Sequence, residues 1–329
     1  MRGLAGAIKS KLETLVTVFG GSGFLGRHVV RALAYRGYRI RVAVRRPELA
    51  GFLRPMGRVG RIHAVQANLR YPDSVAAAMR DADIAVNLVG LLFERGKQRF
   101  DAVMAAGAET VARAASVAGA PLIHTSAIGA DANSPSRYAR AKAAGEKAVL
   151  AAEPAATILQ PSVLFGPEDE FTNRFAALAR LSPALPLIGG GVTRMQPVYV
   201  GDVADAVADA VDGKTKAGAS YELGGPEVLT MREIIEIILA TVERHRMLIS
   251  LPFGLAKLQA TALQFAPGPL KLTPDQVELL RSDNVVSDAA KAAGLTLEGL
   301  GITPDSLEAV APQYLWRFRA AGQFQKKSA

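Results

Sequence analysis

Three polar residues have types and spacing suited to proton transfer: Ser126, Tyr138 and Lys142. On a helix, Tyr138 and Lys142 would lie one turn apart on the same face. We expect the lysine ammonium to lower the pKa of the phenol and to hold a nucleotide ribose, and Ser126 to orient a substrate carbonyl. Alone, a tyrosine and a lysine at this spacing are usually a surface pair, so the interpretation depends on the elements around them.

A glycine-rich turn lies near the start of the chain. It follows the apolar run Leu15–Phe19 and opens a predicted helix, Arg27–Arg36. In a strand–turn–helix unit of this kind, the N–H groups at the start of the helix face a pyrophosphate, and side chains at Gly20, Gly23 or Gly26 would block that approach. An ordinary strand-to-helix turn is the alternative. The expected dinucleotide contacts in this turn are Gly20, Gly21, Ser22, Gly23, Phe24, Leu25 and Gly26.

The end of the second predicted strand indicates which dinucleotide is held. An NAD-specific fold places an acidic residue here to hold the ribose hydroxyls, but this chain has Arg45 and Arg46. Two guanidinium groups would attract a 2′-phosphate and donate charge-assisted hydrogen bonds to it. The pair therefore predicts NADPH as the cofactor, with NADP preferred over NAD; the alternative is a solvated basic loop.

Further cofactor contacts are expected from position alone. Asn68, after the third strand, would meet the adenine, and the stretch Asn87–Gly90, after the fourth, would line the cofactor channel. The expected contacts in these later segments are Asn68, Leu69, Val89, Gly90, Pro161 and Val163.

Strand and helix patterns alternate as far as about Gln160. Alanine-rich helical segments separate six apolar runs, which are Leu15–Phe19, Ile40–Val44, Ile62–Val65, Ile84–Leu88, Leu122–Thr125 and Thr157–Leu159. This pattern predicts an α/β fold with a Rossmann-type, doubly wound parallel sheet. After Pro161 helical segments dominate, which predicts a smaller, mainly helical C-terminal lobe.

The predicted organisation interleaves two lobes. Strand-like Ser220–Leu223 interrupts the helical region, so the chain is expected to return to the first lobe there. The divisions are a basic N-terminal arm at residues 1–13, an NADP(H)-binding Rossmann domain at 14–166 with 197–225 returning to it, and a C-terminal lobe with an interaction tail at 167–196 and 226–329.

Composition narrows the classes of function. The chain has 329 residues, no cysteine and a net charge of +9. Disulfides and cysteine-ligated metals are excluded, and the four histidines lack metal-ligand spacing, so no metal is expected. The positive charge is scattered and accompanies no nucleic-acid motif, so nucleic acid is not an expected partner. No apolar stretch is long enough to span a membrane, although the protein could rest on one.

The glycine pattern with Ser126, Tyr138 and Lys142 resembles the extended short-chain dehydrogenase/reductase superfamily. Later segments agree with it in order and spacing, and two more, 272–286 and 314–319, are similar to the family of NADPH-binding accessory subunits of respiratory complex I (alpha subcomplex subunit nine) and its bacterial relatives. The segments that agree with the superfamily are Pro161–Pro167, Pro197–Ala204 and Tyr221–Pro226.

The resemblance implies an accessory subunit of NADH:ubiquinone oxidoreductase that holds a structural NADPH. Such a subunit would support assembly or stability near the quinone and membrane end of the peripheral arm, with other complex I subunits as partners. Its location would be peripheral, on the cytoplasmic face of a bacterial inner membrane or the matrix side in a eukaryote. The catalytic positions would then be vestigial.

Two alternatives remain open. One is an NADPH-dependent reductase or epimerase in which Tyr138 transfers the proton, Lys142 tunes it and Ser126 polarises the carbonyl. The other is a sensor of the NADP(H) ratio that signals to a protein partner.

Two C-terminal features suggest interaction surfaces. The segment Met247–Phe265 carries almost no charge, and its apolar residues recur at helical spacing. Such a helical face could lie on lipid, contact another subunit or pack against its own lobe. The aromatic and basic tail Tyr314–Arg319 could anchor a partner, in which case deletion after Ala311 would weaken association; packing on its own lobe is the equal alternative.

Overall fold

A computed structural model describes residues 9–320 and 322. Apolar, β-branched runs bounded by turn residues form most of the strands. Three strands have the bounds predicted from sequence: Leu15–Phe19, Leu122–Thr125 and Ser220–Leu223. In chain order the strands are β1 Leu15–Phe19, β2 Arg39–Val44, β3 Ile62–Gln66, β4 Ile84–Asn87, β5 Leu122–Thr125, β6 Thr157–Pro161, β7 Leu164–Phe165, β8 Ala184–Ile188, β9 Arg194–Met195, β10 Val198–Tyr199, β11 Ser220–Leu223, β12 Leu229–Thr230 and β13 Met247–Leu251.

Seven of these strands form one sheet in the order β11-β6-β5-β4-β1-β2-β3. Every neighbouring pair in it is parallel. The chain builds outward from β1 in one direction and then from β4 in the other, so the strand order reverses between β1 and β4. The predicted Rossmann-type sheet is confirmed, and its crevice for a ligand lies at the carboxyl ends of β1 and β4.

Helices cover both faces of the sheet. Their apolar sides form two buried clusters against it, one of which includes α1 and α6 and the other α2 and α3. The helices are α1 Phe24–Tyr35, α2 Pro72–Met79, α3 Ala106–Ala118, α4 Arg137–Ala152, α5 Thr172–Leu181, α6 Val200–Val211, α7 Met231–Thr241, α8 Phe253–Leu263, α9 Pro274–Leu279, α10 Asp288–Ala293, α11 Leu307–Val310 and α12 Pro312–Leu315. Segments of 3-10 helix, the longest of them Pro47–Met56, and one π turn, Asp101–Ala105, complete the helical structure of the described residues.

The C-terminal part has its own core, in which α5, α7, α11 and α12 pack together. Three two-stranded ladders accompany it: β7 with β10, β8 with β13, and β9 with β12. The apolar segment Met247–Phe265 is therefore a strand followed by a helix. Across residues 9–320, no helix combines the length and apolar composition needed to cross a bilayer.

Both ends of the described chain pack against the rest of it. Lys9 pairs with Asp83 and Lys11 with Asp212, each at 2.5 Å; residues 1–8 of the predicted arm lie outside the described residues.

In the tail, Tyr314 is only 5% exposed, and its hydroxyl lies 2.8 Å from that of Thr172. Arg317 donates to the carbonyl of Pro167 at 2.6 Å. The Tyr314 end of the tail is therefore packed in its own lobe, whereas Trp316 is 36% exposed, so anchoring of a partner by the tail stays a prediction.

Candidate functional site

The segments predicted to bind the cofactor lie at one edge of the sheet. The turn Gly20–Gly26 leaves β1, Arg45 leaves β2, and Val89 follows β4. Ser126 leaves β5 from the other side of the same crevice. Since carboxyl ends of neighbouring parallel strands meet at one edge, residues far apart in sequence share one cleft.

The glycine turn packs tightly against the neighbouring backbone and side chains at this crevice. Gly20 has φ +79°, and a Cβ there would stand 3.1 Å from the side chain of Val89. At Gly26, a Cβ would overlap the carbonyl oxygen of Gly20 and stand 2.7 Å from Cα of Gly21. The strand, turn and helix can approach this closely only because these positions lack side chains.

The amino end of α1 is suited to a pyrophosphate. Gly23 occupies the N-cap and offers no side-chain cap, and the first turn carries no acid. Helix N–H groups left without partners, together with the positive end of the helix dipole, form an anion site. The helix begins at Phe24 rather than at Arg27 as predicted, so Phe24, Leu25 and Gly26 belong to its first turn.

Arg45 and Arg46 directly follow β2 and are both exposed. Neither guanidinium makes an ion pair or hydrogen bond to any other part of residues 9–320. At the tip of β2, beside the glycine turn, both guanidinium groups are available to a phosphate.

The loops after β3 and β4 are ordered by their own polar groups. Asn68 is half-buried, and its side chain accepts a hydrogen bond from the Arg70 amide at 3.2 Å. Asn87 is 1% exposed; it accepts from the Val89 amide at 3.2 Å and lies 3.1 Å from Nδ1 of His124. Burial lowers the pKa of His124 to about 3, so its imidazole is neutral near pH 7.

The remaining predicted contacts differ in how far they reach the crevice. Leu69, in the loop after β3, is buried, and its side chain packs against Gly107 of α3. Gly90 is exposed, and a Cβ on it would stand 3.8 Å from Nζ of Lys142. Pro161 is buried at the end of β6, and the carbonyl of Val163 accepts from the Val198 amide at 3.0 Å.

Two buried hydroxyls at the end of β5 lack partners. The Oγ1 of Thr125 and the Oγ of Ser126 make no hydrogen bond within the described part of the chain. An unpaired buried hydroxyl is costly, so such groups are expected to bind something that enters the crevice. A cofactor or a substrate carbonyl fits that requirement.

Tyr138 and Lys142 lie one turn apart on α4, as the spacing predicts. The ammonium of Lys142 is buried and donates to the carbonyl of Thr125 at 3.2 Å. Its capacity for two further hydrogen bonds is unused within residues 9–320, which suits the hydroxyls of a ribose.

The expected effect of Lys142 on Tyr138 is wrong. Burial raises the pKa of Tyr138 to about 12, and no lysine contribution opposes it. The Phe100 ring packs edge-on to Tyr138 at 5.9 Å between centroids, and the ammonium lies 5.9 Å from the Tyr138 ring centre. Burial lowers the pKa of Lys142 itself to about 8. Tyr138 therefore holds its proton at neutral pH.

One contact of the site was missed from sequence. Asp275, on α9, accepts hydrogen bonds from the Tyr138 amide at 3.1 Å, from the Arg137 amide at 2.7 Å and from the Ser136 hydroxyl at 3.0 Å. A local signal is that Asp275 lies in the first turn of a helix with a Thr273–Gln276 capping box, within the segment 272–286 that carries the family resemblance. Nothing in that signal points to a helix 137 residues earlier.

Comparisons with known proteins agree with this geometry. The family described as the NAD dependent epimerase/dehydratase family matches residues 16–224. A relative from Arabidopsis thaliana, the mitochondrial "NADH dehydrogenase [ubiquinone] 1 alpha subcomplex subunit 9", is 37% identical over 320 residues, covering 94% of this chain and 79% of its own.

Two further similarities come from an enzyme and a solved structure. A ceramide reductase from Caulobacter vibrioides is 38% identical over 190 residues, 58% of each chain. The crystal structure of a Thermus thermophilus UDP-glucose 4-epimerase with NAD superposes with a TM-score of 0.67 at 20% identity, covering 94% of this chain and all of that one. At that identity the structure shows the fold alone.

The family match spans the glycine turn, the carboxyl edge of the sheet and the Tyr138–Lys142 helix. This family match supports a nicotinamide dinucleotide as the class of cofactor. The match to the plant protein extends beyond this region into the C-terminal lobe. The chain therefore belongs to the NAD dependent epimerase/dehydratase family and, within it, to the group that contains the complex I proteins named alpha subcomplex subunit 9.

Proposed function

We propose that this protein is an accessory subunit of respiratory complex I that holds a structural NADPH. The observation that carries the proposal is the reach of the similarity: 94% of the chain aligns with a protein named as a complex I subunit. Catalytic use of a shared fold would require likeness only around the cofactor and substrate. Likeness along the whole chain is expected when the C-terminal lobe has a conserved task as well.

The choice of NADPH rests on the two arginines after β2. Both guanidinium groups are exposed beside the glycine turn, where a 2′-phosphate would accept from them. The proposed nucleotide site also includes residues at the carboxyl ends of β3, β4 and β6, all at the same edge of the sheet: Asn68, Leu69, Val89, Gly90, Pro161 and Val163. A nucleotide held only by the folded protein stabilises it by mass action, which is a sufficient role for a subunit without turnover.

The proposed contact with the membrane surface uses one face of α8. This surface, called the α8 face, consists of Leu255, Leu258 and Ala262 of α8 with Phe265 just after the helix; Leu258 is 70% and Phe265 84% exposed. Between Glu243 and Asp275 the chain has no acidic residue. An apolar face in a basic setting suits an anionic lipid surface, on the cytoplasmic side in bacteria or the matrix side in mitochondria.

Deletion of the gene in the source organism tests the proposed role. We expect the membranes to lose assembled complex I, seen as NADH:ubiquinone oxidoreductase activity and as the intact band on native gels. A Tyr138→Phe copy should restore both, because the proton of Tyr138 is not needed for a structural role. An Arg45→Glu/Arg46→Glu copy should restore less, whereas Arg58→Glu, on an exposed loop, is the control. Unchanged complex I in the deletion strain would contradict the proposal.

A second candidate function is favoured by the intact site. Tyr138, protonated at neutral pH, would donate its proton to a carbonyl oxygen that also accepts from the Ser126 hydroxyl. NADPH would supply the hydride. The similarity to a ceramide reductase makes a long-chain lipid ketone the substrate class to try.

The purified protein, a long-chain 3-ketolipid in detergent and NADPH test that activity through the absorbance at 340 nm. If the protein is a reductase, the wild type should oxidise NADPH steadily and the Tyr138→Phe variant should not. Slow oxidation that is equal in both proteins would count against it.

A further inference from the structure

The carboxylate of Asp275 reaches from the C-terminal lobe to the amino end of α4. One oxygen accepts from the Arg137 amide at 2.7 Å, and the other accepts from the Tyr138 amide at 3.1 Å and the Ser136 hydroxyl at 3.0 Å. Ser136 is the N-cap of α4, and its own Oγ accepts from the Ala139 amide. A negative charge here satisfies two amides and complements the helix dipole.

The helix so capped is the one that carries the cofactor contacts. Tyr138 lies in its first turn, and Lys142 follows one turn later. The position of the Lys142 ammonium beside the Thr125 carbonyl thus depends on how the start of α4 is held. No acid lies in the first turn of α4 itself, so Asp275 supplies from another lobe what a helix usually obtains locally.

Other contacts tie the same segment, residues 271–286, to the loops around the crevice. The Asn284 side chain donates to the carbonyl of Ile128 at 2.9 Å, in the loop that follows Ser126, and accepts from the Ser162 hydroxyl at 2.6 Å. The Lys271 ammonium lies 3.5 Å from the centre of the Phe93 ring, in the loop after β4. The segment therefore contacts three of the loops that border the site.

On its other side this segment supports the α8 face. Val277 of α9 packs in a small buried cluster with Ala256 and Ala260 of α8. Lys257 of α8 pairs with Glu278 of α9 at 3.2 Å. Helix α9 thus lies between the nucleotide crevice and the helix that presents the apolar face.

We propose that Asp275 is a positioning residue that couples the nucleotide pocket to the α8 face. When α4 is held in place by a bound nucleotide, its amino end holds Asp275, and Asp275 holds α9 under α8. By the reciprocity of coupled sites, loss of the Asp275 contact weakens nucleotide binding, and nucleotide binding orders α8. This inference rests on the NADPH-binding part of the proposed function and not on complex I.

The test compares NADPH affinity by calorimetry and backbone amide exchange in the full chain. Asp275→Ala should weaken NADPH binding about tenfold, and Asp275→Asn, which keeps one acceptor oxygen, should weaken it less. NADPH should slow amide exchange in residues 253–279 of the wild type but not of Asp275→Ala. The matched control is Asp288→Ala, which removes an exposed acid from the first turn of another helix in the same lobe.

The outcomes are distinguishable. Wild-type affinity and wild-type exchange in Asp275→Ala would overturn the inference and leave the proposed cofactor intact. A wild type that binds no nicotinamide nucleotide would overturn both. If Asp275→Ala does not fold, Ser136→Ala removes one donor to the same carboxylate together with the N-cap of α4. It should lower the melting temperature by a few degrees and still weaken NADPH binding; no change in affinity would again overturn the inference.

Discussion

The ammonium of Lys142 lies 3.2 Å from the carbonyl oxygen of Thr125. This contact joins the helix that carries Tyr138 to the strand that ends at Ser126, and it leaves two of the three donor positions of the lysine for a ligand. Because the group is buried, its pKa falls to about 8, within the range of ordinary buffers. The protonation of Lys142 is therefore open to direct measurement.

Nucleotide affinity should depend on pH through Lys142. The ribose hydroxyls accept hydrogen bonds best from the charged lysine, so binding favours the protonated form and raises its pKa. With a free-protein pKa of about 8, the Kd for NADPH should be flat below that pH and rise towards about tenfold per pH unit above it. Titrations between pH 7 and 9.5 measure this; the phosphate groups titrate lower and do not interfere.

Lys142→Met provides the control for the pH dependence. It should bind NADPH more weakly at pH 7 and lose the rise in Kd at high pH. An equal rise in the variant and in the wild type would mean that another group is responsible.

Replacement of Gly26 by alanine should abolish nucleotide binding. The added Cβ overlaps the Gly20 carbonyl, so the glycine turn and α1 must separate. We expect a loss in the free energy of unfolding of about 1–3 kcal/mol and no detectable NADPH binding by calorimetry. Gly51→Ala, where a Cβ meets nothing within 4 Å, should behave as the wild type. Normal affinity in Gly26→Ala would exclude the turn as the pyrophosphate site.

Charge reversal after β2 should change cofactor preference. Arg45→Glu and Arg46→Glu each remove a donor to the 2′-phosphate and repel it, so NADPH affinity should fall by about tenfold or more. NADH affinity should change little, since NADH lacks that phosphate. Parallel titrations with both nucleotides measure the ratio, with Arg58→Glu as a control for net charge. A similar loss for NADH and NADPH would contradict the assignment of the 2′-phosphate site.

The α8 face should direct binding to lipid. In sedimentation with vesicles containing anionic lipid, Leu258→Glu/Phe265→Glu should lower the bound fraction several-fold, because two charges must leave water to enter the interface. The matched control is Val117→Glu, at a position on α3 that is 91% exposed and far from α8 in the fold. Equal vesicle binding by the wild type, the double variant and the Val117→Glu control would show that the α8 face does not contact the membrane.

The fold could be predicted in detail where local signals were strong. Leu15–Phe19 and Leu122–Thr125 are β-branched or apolar runs ended by turn residues, and their strands have the expected bounds. The end of a strand is also where a parallel sheet collects ligand contacts, so Ser126 and Arg45 could be assigned to the crevice from position alone.

Interactions between distant segments escaped prediction. The pKa of Tyr138 depends on its burial beside Phe100, which no spacing within α4 reveals. Asp275 caps α4 across 137 residues. Tyr314 of the tail packs against Thr172, 142 residues earlier in the chain. In each case the deciding contact joins two lobes or two remote elements, and periodicity in one segment contains no information about it.

The central claim is tested most directly by sedimentation. Membranes from the source organism, gently solubilised after a high-salt wash, are separated on a density gradient, and each fraction is assayed for this protein, for NADH:ubiquinone oxidoreductase activity and for extractable NADPH. The account predicts that all three peak together, with about one NADPH per copy of the chain. A protein that remains at the top of the gradient, apart from the activity, would contradict it and favour the reductase.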